Sequence, residues 1–232
     1  MPAADDVYIH CDKLDHLPAL NRENWLWESA WLCEHLKQNA TVLQVGSCEG
    51  SRLMDLTQKR SDLSFTGLEI DPALHAMALK RFEGTKAHAQ SVLGDITKNE
   101  SIDPLGHFDY AICLNNTLGY IPDEAASLTN MKHAADTAII SVYGEKFTDD
   151  VAREYFGTLT LTVENIVDNV IRVRDFGIIK RYRREDVELW NGKIVETPLG
   201  YLCVMPGTGT SLQNSTQHTF PSPQGGGARG EG

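Results

Sequence analysis

The stretch Thr41-Val42-Leu43-Gln44-Val45-Gly46-Ser47-Cys48-Glu49-Gly50 constrains this chain more than any other. Four apolar or β-branched residues in its first five positions form a short buried strand. The strand runs into a Gly-x-x-x-Gly turn, and helical apolar spacing follows at Leu53 and Leu56. Strand, glycine turn and helix in that order make the first βα unit of a doubly wound nucleotide-binding fold. Gly46 permits a sharp turn at positive φ, and Gly50 lets backbone and helix approach a bound nucleoside.

A glycine turn alone specifies little; the elements that follow specify more. Glu69 comes nineteen residues after Gly50, at the C-terminal end of a second apolar strand, Phe65-Thr66-Gly67-Leu68-Glu69. A carboxylate about 20 residues beyond the turn is where a ribose diol is held, because one carboxylate accepts from both hydroxyls. A third short strand, Ser91-Val92-Leu93, leads to Gly94, Asp95 and Ile96. A fourth, Phe108 to Leu114, runs into paired amides, Asn115 and Asn116.

In these four motifs, over about residues 40–145, the chain resembles the class I S-adenosylmethionine-dependent methyltransferases. The resemblance implies S-adenosylmethionine as cofactor. It places Gly46, Ser47, Cys48 and Gly50 under the methionine moiety and Glu69, followed by Ile70, at the ribose. Asp95 and Ile96 bracket the adenine, and Leu114 completes the cofactor wall. The family has an acid where Gln44 stands and a middle glycine where Cys48 stands. Gln44 still donates and accepts a hydrogen bond but brings no negative charge, and Cys48 does not take positive φ cheaply.

Expected elements extend the pattern. A helix over 21–38 starts at Asn21 as N-cap and carries Trp25, Trp27, Trp31, Leu32 and Leu36. That apolar load packs on the sheet or on a partner, leaving room for a homodimer, and one tryptophan could line the substrate pocket. Further helices are expected near 50–59, at 72–82 behind Asp71-Pro72, and from Asp123-Glu124 to about His133, with a fifth strand at Thr137–Tyr143. Beyond 145 the expected elements are a short helix at 149–156 and strands at 159–163 and 170–174 about an Asp168-Asn169 turn. They continue with an apolar run at 176–179, a solvated basic turn at Lys180–Arg184, a helix at 185–190 and a strand at 201–205.

The expected fold is a Rossmann-like, mostly parallel seven-stranded sheet with helices on both faces. It has an N-terminal helical extension and antiparallel C-terminal strands. The expected boundaries are an N-terminal arm at 1–20, the binding domain at 21–206 and a disordered Gly/Ser/Pro-rich tail at 207–232.

The formal net charge of −11 argues against a nucleic-acid partner, which needs a basic surface. Five scattered cysteines without a C-x-x-C pair fit reduced thiols in a cytoplasmic protein. No apolar stretch is long enough for a membrane span. No metal-ligand or nucleophile motif occurs, and a sulfonium-borne methyl group requires neither.

The acceptor must be read from Cys113 to Asp123, after the fourth strand. This segment is similar to that of the glycine N-methyltransferases, and Asn116 falls on their substrate-contacting asparagine. Amides bind an amine or carboxylate without adding charge beside a sulfonium. The competing explanation of Asn115 and Asn116 is an Asx turn that caps the helix after 121. Tyr143 and Tyr155 are candidates to bind an ammonium or a carboxylate, or are half-buried packing. Arg172 and Arg174 face either solvent or the pocket.

The leading expectation is methyl transfer to a small amine- or carboxylate-bearing metabolite, with Asn116, Asn115, Tyr143 and Tyr155 at the reaction. Two alternatives share the site. One is intramolecular cyclisation of S-adenosylmethionine to azetidine-2-carboxylate and methylthioadenosine. The other is a non-catalytic subunit of the same fold that supports a partner.

Overall fold

The computed structural model describes residues 14–85 and 87–208. Most of the expected arm and tail therefore lies outside the described residues. Five strands alternate with helices through the first part of the chain: β1 (Thr41–Val45), β2 (Ser64–Glu69), β3 (Ala89–Leu93), β4 (Phe108–Cys113) and β5 (Ala135–Tyr143). Helix α1 (Ala19–His35) precedes them; α2 (Ser51–Lys59), α3 (Pro72–Phe82), α4 (Asn99–Ile102) and α5 (Glu124–Ala134) connect them. Then come α6 (Asp149–Thr158), β6 (Val163–Val167), β7 (Val170–Val173), β8 (Gly177–Lys180), α7 (Arg184–Glu188), β9 (Lys193–Glu196) and β10 (Gly200–Pro206).

The main sheet has the order β3-β2-β1-β4-β5-β10-β9. The first five strands are parallel, and β10 is antiparallel to both β5 and β9. A separate antiparallel sheet is formed by β6, β7 and β8. This is the expected Rossmann-like architecture. Strand alternation sends successive side chains to opposite faces, so each central strand feeds two cores. Val42 and Ile139 join Leu32, Leu36, Leu53 and Leu56 under α1 and α2. Leu43 and Ile140 join Met131, Ala134 and Val187 under α5 and α7. A third cluster packs Trp25, Phe147, Tyr155 and Phe156 on Ile171, Val173 and Ile179 of the small sheet. No helix among the described residues is long and apolar enough to cross a membrane.

Local chemistry sets most boundaries. Asp71 Oδ1 accepts from the Ala73 and Leu74 amides, with Pro72 first in α3. Asp123 caps α5 through the Ala126 amide. Helix α1 begins at Ala19 rather than at Asn21, because Pro18 supplies an extended entry and its carbonyl accepts from Arg22. Asn21 is buried inside the helix, its amide donating to the Tyr143 hydroxyl at 3.4 Å. The strand expected at 159–163 starts only at Val163. Helix α6 runs on to Thr158, and Thr160 sits in the left-handed region, which breaks the extended run.

The basic run at 180–184 is not a solvated turn. Arg181 donates to the carbonyls of Phe147 and Asp168 and to the Asp149 carboxylate, and Tyr182 is buried. Arg172 is exposed, and Arg174, beyond the end of β7, pairs with Glu164 in solvent. Gly207 and Thr208, assigned by composition to the tail, donate their amides to Asp136 and Lys132 carbonyls.

Asn116 joins the two sheets. Its Oδ1 accepts from the Tyr143 amide at the end of β5 (3.0 Å), and its Nδ2 donates to the Lys180 carbonyl at the end of β8 (3.1 Å). Asn115 and Asn116 both lie in the left-handed region, φ +52° and +60°, which asparagine tolerates better than most residues. Asn116→Ala should therefore lower stability by roughly 2–4 kcal/mol, through the loss of one buried and one part-buried hydrogen bond and added backbone strain. Thermal and urea melts measure this, and an unchanged midpoint would show that the tie carries no weight.

Candidate functional site

A cleft of about 540 Å³ opens at the C-terminal ends of β1 to β4, within the size range of small-molecule sites. Ligands of open α/β sheets bind there, beside the point where strand order reverses. In the turn after β1, Gly46, Cys48 and Gly50 all adopt positive φ: +65°, +49° and +85°. The cysteine holds this conformation because its amide donates to Glu69 Oε2 at 2.7 Å, a charge-assisted bond that offsets the local strain. Gly50 is needed for a different contact from the one expected. A Cβ there would lie 2.6 Å from the Phe82 ring, so its lack of a side chain lets α3 pack onto the turn. Gly50 does not line the cleft.

Glu49, between the two, is fully buried and structural. Its carboxylate binds Ser51 and the Arg81 guanidinium, clamping the turn to α3.

Glu69 is the acid of the cleft. Its Oε2 takes the Cys48 amide and its Oε1 takes the Asp71 amide at 2.9 Å. Each oxygen thus keeps a lone pair for a further donor, which is what a vicinal diol requires. Burial raises its pKa above the ordinary glutamate value, against the opposing pull of the Asp71 and Cys48 amides.

Of the other expected cofactor residues, Gly46, Cys48, Ile70, Asp95, Ile96 and Leu114 line the cleft. Asp95 spends Oδ1 on the Thr97 amide and hydroxyl, so that oxygen organises its own turn. Ser47 is off the wall, with its hydroxyl buried and unpartnered.

The expected catalytic residues divide. Asn115 and Tyr155 line the cleft; Asn116 and Tyr143 do not. Asn116 is placed otherwise than expected, because both ends of its side chain are spent on backbone groups of β5 and β8. Tyr143 stands behind Asn115, its hydroxyl donating to Asn115 Oδ1 at 2.8 Å while its ring stacks on Phe147. It orients the amide from the rear and does not meet the cleft.

Sequence reasoning missed a polar unit on the inner wall. Glu28 of α1, fully buried, takes Arg52 of α2 on Oε2 at 2.5 Å. Its Oε1 accepts from Asn24, from the Asn115 amide and from the Ser141 hydroxyl. Trp25 covers the Arg52 guanidinium at 4.0 Å from ring centroid to Cζ. A charge at Glu28, three and four residues from Trp25 and Leu32 on one apolar helix face, was the available signal. Tyr120 and Phe176, edge to face at 5.9 Å, also line the cleft. Phe176 reaches it from the connection between β7 and β8.

The residues present fit a nucleoside bearing an amino-acid tail. Glu69 has free acceptor capacity, Ile70 and Ile96 give an apolar adenine wall, and Gln44 keeps a buried Oε1 without a partner. Residues 42–136 match the methyltransferase domain family. Among solved structures, the chain is similar to DesVI of Streptomyces venezuelae at 15% identity, covering 80% of this chain and 92% of that one, TM-score 0.59. It is also similar to S-adenosylmethionine-bound CalS10, an amino pentose methyltransferase from Micromonospora echinaspora (17%, 78% and 90%, 0.56). A third similar structure is an S-adenosylmethionine-dependent methyltransferase from Clostridium acetobutylicum (11%, 80% and 90%, 0.56). No curated protein matches the sequence. Fold and domain match agree: residues 42–136 match a methyltransferase domain, and the chain has the fold of these S-adenosylmethionine-dependent methyltransferase structures.

Proposed function

We propose that this protein methylates a small metabolite carrying an amine or a carboxylate. The observation that carries the reading is the make-up of the cleft beyond β4. There Asn115, oriented by Tyr143, stands with the aromatic walls of Tyr120, Tyr155 and Phe176. An amide beside aromatic faces suits an amine, neutral or charged, and a carboxylate. The volume suits a metabolite rather than a polymer.

When bound, S-adenosylmethionine supplies an electrophilic methyl group on a sulfonium. The chain's residues hold and align. Glu69 accepts from the ribose hydroxyls, and Ile70 and Ile96 flank the base. Asn115 directs the incoming nucleophile, and Tyr120 and Phe176 exclude water from the reacting end. Asn116 supports Asn115 through the backbone and takes no part in contacting substrate.

The protein should form S-adenosylhomocysteine only when a small amino or carboxylic acid acceptor is present, as chromatography of the nucleoside products would show. Methylthioadenosine as the main product would replace this reading with intramolecular cyclisation.

A second expectation concerns pH. Glu69 accepts from both ribose hydroxyls, one on each oxygen, only when ionised, and burial raises its pKa. Affinity for S-adenosylhomocysteine should therefore fall on acidification, beginning above the ordinary glutamate range. Folding responds with the opposite sign, since a raised carboxyl pKa makes this group's contribution largest in acid and loses it as pH rises. In Glu69→Gln the affinity should be flat with pH and weaker by about 1.5–3 kcal/mol at neutral pH. Calorimetry across pH checks both, and a parallel acid loss in the variant would remove Glu69 from the site.

A further inference from the structure

The polarity of α1 is reversed with respect to the fold. Its inner face buries Asn21, Asn24, Glu28 and Ser29 beside Trp25 and Leu32. Those polar groups bond to Tyr143, Arg52, Asp55 and one another. The outer face carries Leu26, 47% exposed, with exposed Ala30 and the half-buried rings of Trp27 and Trp31. A surface helix of a single chain ordinarily does the opposite, with apolar residues inward and polar residues outward. Aromatic and aliphatic groups gathered on an outer face are the mark of a face that another chain covers.

The charges on that face show what covers it. Arg22, Leu26, Ala30 and Glu34 recur every four residues and so make one ridge of the helix surface. Arg22 and Glu34 are exposed at its two ends, and neither joins a salt bridge among the described residues. Such a ridge is complementary to itself when reversed. Laid antiparallel on a second copy, it puts Arg22 of each chain beside Glu34 of the other, and Leu26 beside Ala30. Ridges of this spacing interdigitate where two helices cross at about 50°. The adjacent ridge, Glu23-Trp27-Trp31, then forms the bank of the groove that the other copy's Leu26 enters. Trp31 is held in place by stacking on His35, with ring centroids 4.0 Å apart. Self-complementarity of one patch is what a two-fold contact between identical chains requires.

We propose that α1 is the surface through which two copies of this chain associate, antiparallel across a two-fold axis. Two Arg22–Glu34 ion pairs flank a Leu26–Ala30 centre banked by Trp27. This goes beyond the reaction and does not depend on it. The inner face of the same helix supplies Trp25 to the cleft wall and Glu28 behind it, so the contact braces the site from outside. One pair of crossed helices is small for a protein interface, and association is therefore concentration-dependent.

Sedimentation of the full chain over a concentration series tests this. Wild type should move from the 25.7 kDa monomer toward twice that mass as concentration rises. Leu26→Glu, shown to be folded by its melting curve, should weaken association by about tenfold or more, a change of about 1.4 kcal/mol. Arg22→Glu and Glu34→Arg, each alone, bring like charges together and should weaken it too. Combined in one chain, they exchange the ends of the ridge and should restore association, which a merely destabilised helix would not do. Wild type that stays monomeric up to about 1 mM overturns the proposal and leaves the face to another segment of the chain or to a different protein. A dimer that folded Leu26→Glu keeps unchanged has its interface elsewhere, and overturns it as well. Failure of the double exchange to recover what the single changes lose rejects the antiparallel pairing.

Discussion

The arrangement of the site depends on one buried carboxylate. Glu28 is fully enclosed, and its two oxygens gather α1, α2, the turn after β4 and the C-terminal part of β5 around a single point. Each partner is needed. A carboxylate removed from water without donors costs several kcal/mol, and removing one member of a buried pair typically costs about 3–5 kcal/mol. The consequence is geometric: the Asn115 backbone, held by Glu28, and the Arg52 guanidinium, held by the same group, cannot move independently. A helix from outside the nucleotide-binding repeat thereby becomes part of the cleft wall.

The nucleotide half was legible because its elements are set by local rules. Buried parallel strands read as apolar runs, Asp71-Pro72 and Asp123 announce helix starts, and Glu69 stands at a fixed distance from the glycine turn. The acceptor half was less legible, because the same residue types satisfy two demands. Paired asparagines after a strand fit a substrate contact and fit a left-handed backbone equally well. In the structure both ends of the Asn116 side chain bond backbone groups, of Tyr143 and Lys180. The Glu28–Arg52 pair joins positions 24 residues apart that neither motif nor periodicity links. Strand β9 escaped notice for a different reason. It has four residues, none of them buried, at the edge of the sheet, so it lacks a hydrophobic signature.

The small sheet gives the fold its second function as a wall. Its inner face packs on α6 and α1 through Ile171, Val173 and Ile179, while Phe176, between β7 and β8, closes on Tyr120. Arg181 and Asn116 fasten this sheet to the main one through backbone carbonyls and amides rather than through exposed ion pairs. Those contacts keep their strength in salt, which screens surface charges. This wall of the cleft is therefore built into the packing of the two sheets.

The pairing of β5 with β10 has a consequence for how the chain is made. Strand β5 is nine residues long and buried over most of its length, yet its outer neighbour, Gly200–Pro206, is the last strand made among the described residues. Until β10 arrives, a long apolar strand presents an open row of amides and carbonyls, the kind of edge on which chains aggregate. A ribosome stalled in the small sheet would release a nucleotide-binding half with its parallel order complete and its most adhesive edge bare. The final strand thus acts as a seal on the nascent protein as well as a member of the finished sheet.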